Sequence, residues 1–133
     1  MPVFSGMMQP PVTIYIVDDD ESMRRALARL MQSAGYATAT FASLGELLAT
    51  EHFHEPACVI ADVRMPGGSG LDLPERLRDC GSWLPVIIVT AHDTEQMRAE
   101  ARQAGVAGYF RKPVDDQALI DAIEWALSGR HES

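Results

Sequence analysis

Five short strand-like runs, four of them apolar and stopping at a polar residue, constrain this chain more than any other feature. They are 12–17 (Val-Thr-Ile-Tyr-Ile-Val), 36–41, 58–61 (Cys-Val-Ile-Ala), 85–89 (Pro-Val-Ile-Ile-Val) and 106–110. An apolar run of that length bounded by turn residues reads as a strand buried on both faces, while 36–41 alternates weakly and suits an outer strand. Between the runs the apolar spacing becomes helical. Met23, Leu27, Leu30, Met31 and Ala34 form one stripe, and Gly35 supplies its stop. Leu44, Leu47 and Leu48 follow Ser43, a predicted N-cap with Glu46 three residues on, as in a capping box. Leu71, Leu73 and Leu77 predict a helix to about Cys80, with Pro74 confined to its first turn. Met97, Ala101 and Ala104 give a thin apolar face on a helix over 94–104, ended by Gly105. Leu119, Ile120, Ile123 and Leu127 face inward on a last helix over 115–127.

Strands alternating strictly with helices imply a parallel sheet covered on both faces, joined by right-handed crossovers. Of the doubly wound orders, the flavodoxin-like (βα)5 arrangement 2-1-3-4-5 suits five strands best. Strands 1 and 3 then flank the switch point, where ligands bind at the carboxyl ends. Asp18 and Asp19 follow the first run, Asp62 the third, Thr90 the fourth and Lys112 the fifth. Three carboxylates do not crowd together ionised without a compensating cation. All-oxygen donors favour Mg2+, which keeps positions open for water and phosphate oxygens. Lys112 adds a point charge for such oxygens and Thr90 a hydrogen-bond donor. An aspartate in this setting can attack phosphorus and form an aspartyl-phosphate. Each residue alone has a plainer reading. The stretch 18–21 could be a solvated helix start, Thr90 an N-cap, Lys112 an exposed charge and Tyr109 a core aromatic. The coincidence at four strand ends carries the argument, not any one of them.

The bulk numbers narrow the class. At 133 residues the chain is one domain, read as 12–128, with a leader at 1–11 and a short tail at 129–133. A net charge of −8 and the lack of any basic run argue against direct nucleic-acid binding. Two cysteines, Cys58 and Cys80, make no disulfide framework, and no membrane span or secretory signal is visible, so a cytoplasmic location is expected. His52, His54, His92 and His131 have no zinc spacing.

The segments 17–20 (Val-Asp-Asp-Asp), 61–70 (Ala-Asp-Val-Arg-Met-Pro-Gly-Gly-Ser-Gly), 89–91 (Val-Thr-Ala) and Lys112-Pro113 together resemble the receiver domain of bacterial two-component response regulators. The likeness is greatest to the FixJ-like subgroup and extends over nearly the whole chain. It implies that Asp62 is the phosphoacceptor. It implies that Asp19 is a direct Mg2+ ligand, that Asp18 acts largely through water, and that Arg64 offers its backbone carbonyl. Lys112 would pair with the phosphoryl group, before a cis Lys112-Pro113 bond. Thr90 would swing toward the phosphoryl oxygens while Tyr109 turns inward behind it. The side chains of Arg64 and His92 would border the site and tune the phosphate lifetime. A histidine kinase would be the donor. A phosphate-driven change in helix 4, strand 5 and helix 5 would be the output, through a homodimer, an output domain or a downstream partner.

Gly67-Gly68 and Pro74 leave the loop geometry after Asp62 open. Trp125 points away from the apolar arc of its helix and reads either as an interface residue or as a lid over the core edge. Two rivals remain. A Mg2+-dependent phosphatase of the haloacid dehalogenase type would use the Asp-x-Asp of 18–20, with Asp18 as nucleophile, but leaves Asp62 idle. A phosphate-independent docking module would leave the whole acidic site idle.

Overall fold

The computed structural model describes residues 11–128. All of the tail and all but the last residue of the leader lie outside that range. Five strands and five helices alternate: β1 (Thr13–Val17), α1 (Glu21–Ser33), β2 (Ala37–Phe41), α2 (Leu44–Leu48), β3 (Ala57–Ala61), α3 (Leu73–Asp79), β4 (Val86–Thr90), α4 (Glu95–Ala104), β5 (Gly108–Arg111) and α5 (Asp116–Leu127). The sheet is parallel throughout, in the order β2-β1-β3-β4-β5. This is the flavodoxin-like arrangement expected from the alternation.

Strand residues alternate between two cores, because successive side chains leave opposite faces of a pleated sheet. Ile14, Ile16, Cys58, Ile60, Ile87 and Val89 pack on one face, with Leu27 and Met31 of α1 and Leu119 and Ile123 of α5. Tyr15, Val17, Val59, Ala61, Val86 and Ile88 pack on the other, with Leu44, Leu47, Leu73 and Leu77. Every residue of β3 and β4 is buried. That explains why these two runs lack any polar residue before their last position.

The helix ends follow the local chemistry. Asp20 caps α1, accepting from the amides of Ser22 and Met23. Ser43, Thr94 and Asp115 cap α2, α4 and α5 in the same way. The expected capping box at α2 closes one residue early, since Glu46 Oε1 accepts from the amide of Ala42. Pro74 sits in the first turn of α3, after a 3-10 turn at Gly70–Asp72. Four of the five strands begin later than the apolar pattern suggests, and at β2 and β5 a helix end accounts for it. The amide of Tyr36 turns back to Met31 O and that of Val106 to Ala101 O, each after a glycine at positive φ (Gly35 at 95°, Gly105 at 82°). Both residues close a helix, so β2 starts at Ala37 and β5 at Gly108.

The stretch after Asp62 is more ordered than its Pro/Gly content suggests. Arg64–Met65 pairs antiparallel with Gly68–Ser69 around a turn at Pro66 and Gly67, with Gly67 and Gly68 at φ of 89° and 148°. The glycines supply backbone geometry that other residues rarely adopt, rather than looseness.

Candidate functional site

The ladders continue one step past the strand ends, and this places the chemistry. Asp18 N donates to Phe41 O, Asp62 N to Val17 O, and Lys112 N to Thr90 O. The backbone of all three residues is therefore still part of the sheet, while their side chains emerge at its carboxyl edge. There the Lys112 ammonium lies 2.9 Å from Asp18 Oδ2 and 2.9 Å from Asp62 Oδ2. Both carboxylates are buried, at 2% and 6% exposure. Residues 50 and 94 positions from the lysine meet on one charge.

The other oxygens are occupied as well. Asp62 Oδ1 accepts from the amide of Val63, and Asp18 Oδ1 from that of Asp20. Burial pulls the Lys112 pKa down and is the largest single influence on it. The hydrogen bonds and charges of Asp18 and Asp62 together outweigh that pull and leave the pKa raised. Lys112 is thus a cation across the physiological range, and the Lys112-Pro113 bond after it is cis, as the resemblance implied. Two carboxylates against one ammonium leave the cluster one negative charge in excess. Removing Lys112 would strand two buried carboxylates, whereas removing one aspartate leaves the ammonium paired with the other.

Two residues hold this geometry that the apolar patterns did not single out. Arg24 of α1 donates from Nη1 to the carbonyl of Asp18 at 2.7 Å. In the sequence it was only an arginine outside the helix stripe. Gly70 brings the loop back against Asp62: a Cβ there would stand 2.1 Å from the Asp62 carbonyl oxygen, closer than atoms pack. Its amide donates to Val63 O. No sequence signal distinguished Gly70 from its two loop neighbours.

The remaining predicted residues surround this centre without joining it. Thr90 is fully buried, and its hydroxyl accepts from the amide of His92. Asp19, Arg64 and His92, next to strand ends in the sequence, are exposed. Tyr109 is half-buried, and its hydroxyl donates to Asp93 Oδ1 at 3.1 Å. Desolvation, then the Asp93 hydrogen bond, push its pKa up. Trp125 is 48% exposed on α5, and Trp83, on which the sequence offered no reading, is 75% exposed beneath Arg78.

The structure gathers two of the three predicted carboxylates, and among the described residues no three His, Cys, Asp or Glu side chains form a metal-holding group. Asp18 and Asp62 present hard oxygens with one uncompensated charge. That donor chemistry fits Mg2+, which uses one or two carboxylates and completes its shell with water. It does not fit zinc, which prefers a closed N/S shell.

A doubly wound sheet with a lysine-bridged aspartate pair at its switch point defines a class of small α/β proteins built to receive an anionic group at the strand ends. The chain belongs to the response regulator receiver domain family, whose model matches residues 14–124. It is 35% identical over 120 residues to the transcriptional regulatory protein FixJ of Azorhizobium caulinodans, covering 90% of this chain and 57% of that protein. It is 37% identical over 114 residues to the response regulator TodT of Pseudomonas putida, covering 86% and 50%. The solved full-length FixJ from B. japonicum superposes with a TM-score of 0.80 at 34% identity, over 88% of this chain and 58% of that one. The chain thus spans about half the length of these relatives. Receiver domains of this family are phosphoryl acceptors, use Mg2+ at the phosphorylation site, and pair with histidine kinases and output domains. Among the described residues no helix is long and apolar enough to cross a membrane.

Proposed function

We propose that Asp62 is the phosphoacceptor and that this chain switches a surface made by α4, β5 and α5. The observation that carries the reading is the Lys112 ammonium held 2.9 Å from both Asp18 and Asp62. A buried aspartate with a cation at its Oδ2 has the donor and charge pattern for in-line attack on phosphorus. A carboxylate oxygen of Asp62 forms the new O–P bond. The P–N bond of a kinase phosphohistidine breaks, and the imidazole leaves with the bonding pair and takes up a proton. Asp19, Asp62 and the carbonyl of Arg64 would hold Mg2+, with Asp18 acting through water; bound there, the ion supplies charge neutralisation for the phosphoryl oxygens. Lys112 orients those oxygens by moving from the Asp18 carboxylate to the new group. Thr90, buried at the end of β4, turns its hydroxyl toward them, and Tyr109 follows inward. Arg64 and His92, both exposed, set how readily water reaches the phosphoryl group. The group adds close to two negative charges at the sheet end, so the change is a population shift driven by local electrostatics.

The chain works in the cytoplasm as a signalling partner rather than a turnover enzyme, and Trp125 contributes to a homodimer or partner contact. Intact mass after incubation with Mg2+ and acetyl phosphate tests the reading, with the site mapped by reductive trapping. A single labile phosphoryl on Asp62 is the expected result. Label on Asp18 with continuing phosphate release would instead make it a phosphatase. No label despite Mg2+ binding would leave a docking module.

A further inference from the structure

The link between Tyr109 and Asp93 belongs to no role described so far. Asp93 lies in the loop between Thr90 and α4, and its carboxylate faces two ways. Oδ1 accepts from the Tyr109 hydroxyl at 3.1 Å, and Oδ2 accepts from Arg98 Nη1 at 2.8 Å. The Asp93 side chain is 9% exposed and that of Arg98 47%. One carboxylate therefore ties together the loop after β4, the helix α4 and the strand β5. We propose that Asp93 is a positioning residue that holds Tyr109 in its resting place, with Arg98 orienting the carboxylate, so that breaking this clamp is part of the cost of switching. The inference rests on the reading of Tyr109 as the residue that turns inward.

The argument is one of unequal partners in two states. With Tyr109 at rest, both oxygens of a nearly buried carboxylate are satisfied. If the tyrosine turns inward, Oδ1 loses its donor while the carboxylate keeps its desolvation cost. Arg98 prevents the simplest escape, rotation of Asp93 toward solvent, because its guanidinium engages Oδ2. The raised Tyr109 pKa agrees with a phenol that stays protonated and donates to a carboxylate. Little else holds this region at rest. Ala101 is the single buried residue of α4, and no residue of β5 is fully buried. The one hydrogen bond lost when Tyr109 turns can therefore weigh noticeably in the balance.

Tyrosine ζ-carbon NMR on the full chain reads this directly, since the chain has three tyrosines and Tyr109→Phe identifies the relevant signal. Beryllofluoride with Mg2+ should move the wild-type Tyr109 signal to its switched position. Asp93→Ala, with no phosphodonor present, should move it part of the way along the same line and tighten beryllofluoride binding about tenfold. Asp93→Asn keeps an acceptor for the hydroxyl but loses the charge, and should move it less. In a Tyr109→Phe background the effect of Asp93→Ala on beryllofluoride binding should vanish. A Tyr109 signal unmoved in Asp93→Ala, or an affinity gain that survives in Tyr109→Phe, overturns the clamp. A wild-type signal indifferent to beryllofluoride, with no binding detected, would instead defeat the phosphoacceptor reading on which the clamp depends.

Discussion

β3 and β5 belong to the same sheet and differ in almost every physical respect. β3 is flanked on both sides, pairing with β1 along all five of its residues and with β4 along three. All five of its side chains are buried. Among the described residues β5 is an edge strand of four residues paired only with β4, and none of its side chains is fully buried. The helix after β3 and the helix before β5 differ likewise, since α3 buries Leu73, Pro74 and Leu77 whereas α4 buries only Ala101. Asp62 leaves the first of these strands and Tyr109 sits on the second. On the function proposed above, the chemistry that needs fixed geometry stands where packing over-determines the backbone. The residue expected to move stands where burial is thin. A domain of marginal stability can place its loosest region at the readout surface without loosening the site.

The sharpest way to break this comparison is to remove the chemistry without touching the scaffold. Asp62→Asn keeps the size and one acceptor oxygen for the Val63 amide. It should abolish phosphoryl incorporation by mass while leaving circular dichroism native. A variant that unfolds would mean that the charge cluster, not β3, holds this edge together. The scaffold itself is tested by paired truncations in urea. Ile60→Ala empties a position 1% exposed in β3 and should cost about 3 kcal/mol. Met97→Ala, on the half-covered face of α4, should cost under about 1 kcal/mol. Equal losses would show that α4 is as firmly held as the centre of the sheet.

A smaller effect sharpens the role of the first strand. Arg24→Met removes the guanidinium from the Asp18 carbonyl. It should weaken Mg2+ binding about tenfold by calorimetry, with Arg24→Lys restoring part of the affinity. An unchanged affinity would reduce Arg24 to a helix-surface charge.

How far the sequence carried these conclusions varies along the chain. The strands and their order were legible because the fully buried β3 and β4 leave an uninterrupted apolar code, and because strict alternation admits few topologies. Asp18, Asp62 and Lys112 were legible by position, as each follows a strand end. Their shared ammonium was not, since it depends on residues far apart in sequence pointing at one place. The hairpin over 64–69 was hidden because a two-residue ladder leaves no periodicity. Asp93 was hidden for a different reason. A carboxylate between a strand and a helix reads as a loop residue until its two partners, Arg98 and Tyr109, are seen in space.

The weakest expected effect concerns the interior of β3. Cys58 is fully buried between the two flanking strands, and burial pushes its thiol up from 9.0 to about 12. A folded pKa raised above the unfolded one gives stability that is complete below about pH 9 and is lost as the pH climbs toward 12, because only the unfolded chain ionises in between. By pH 10 the loss should be about 1 kcal/mol. Tyr36, Tyr109 and Lys112 are also raised, from 10.0 or above, so the interval from pH 8.5 to 10 reports mainly on the thiol. Cys58→Ala should be less stable at pH 7, having lost a buried sulfur, yet decline less steeply with pH. The two curves should therefore approach one another in urea melts across that interval. Parallel curves would mean that water reaches the sulfur, and that the centre of the sheet opens more readily than its complete burial implies.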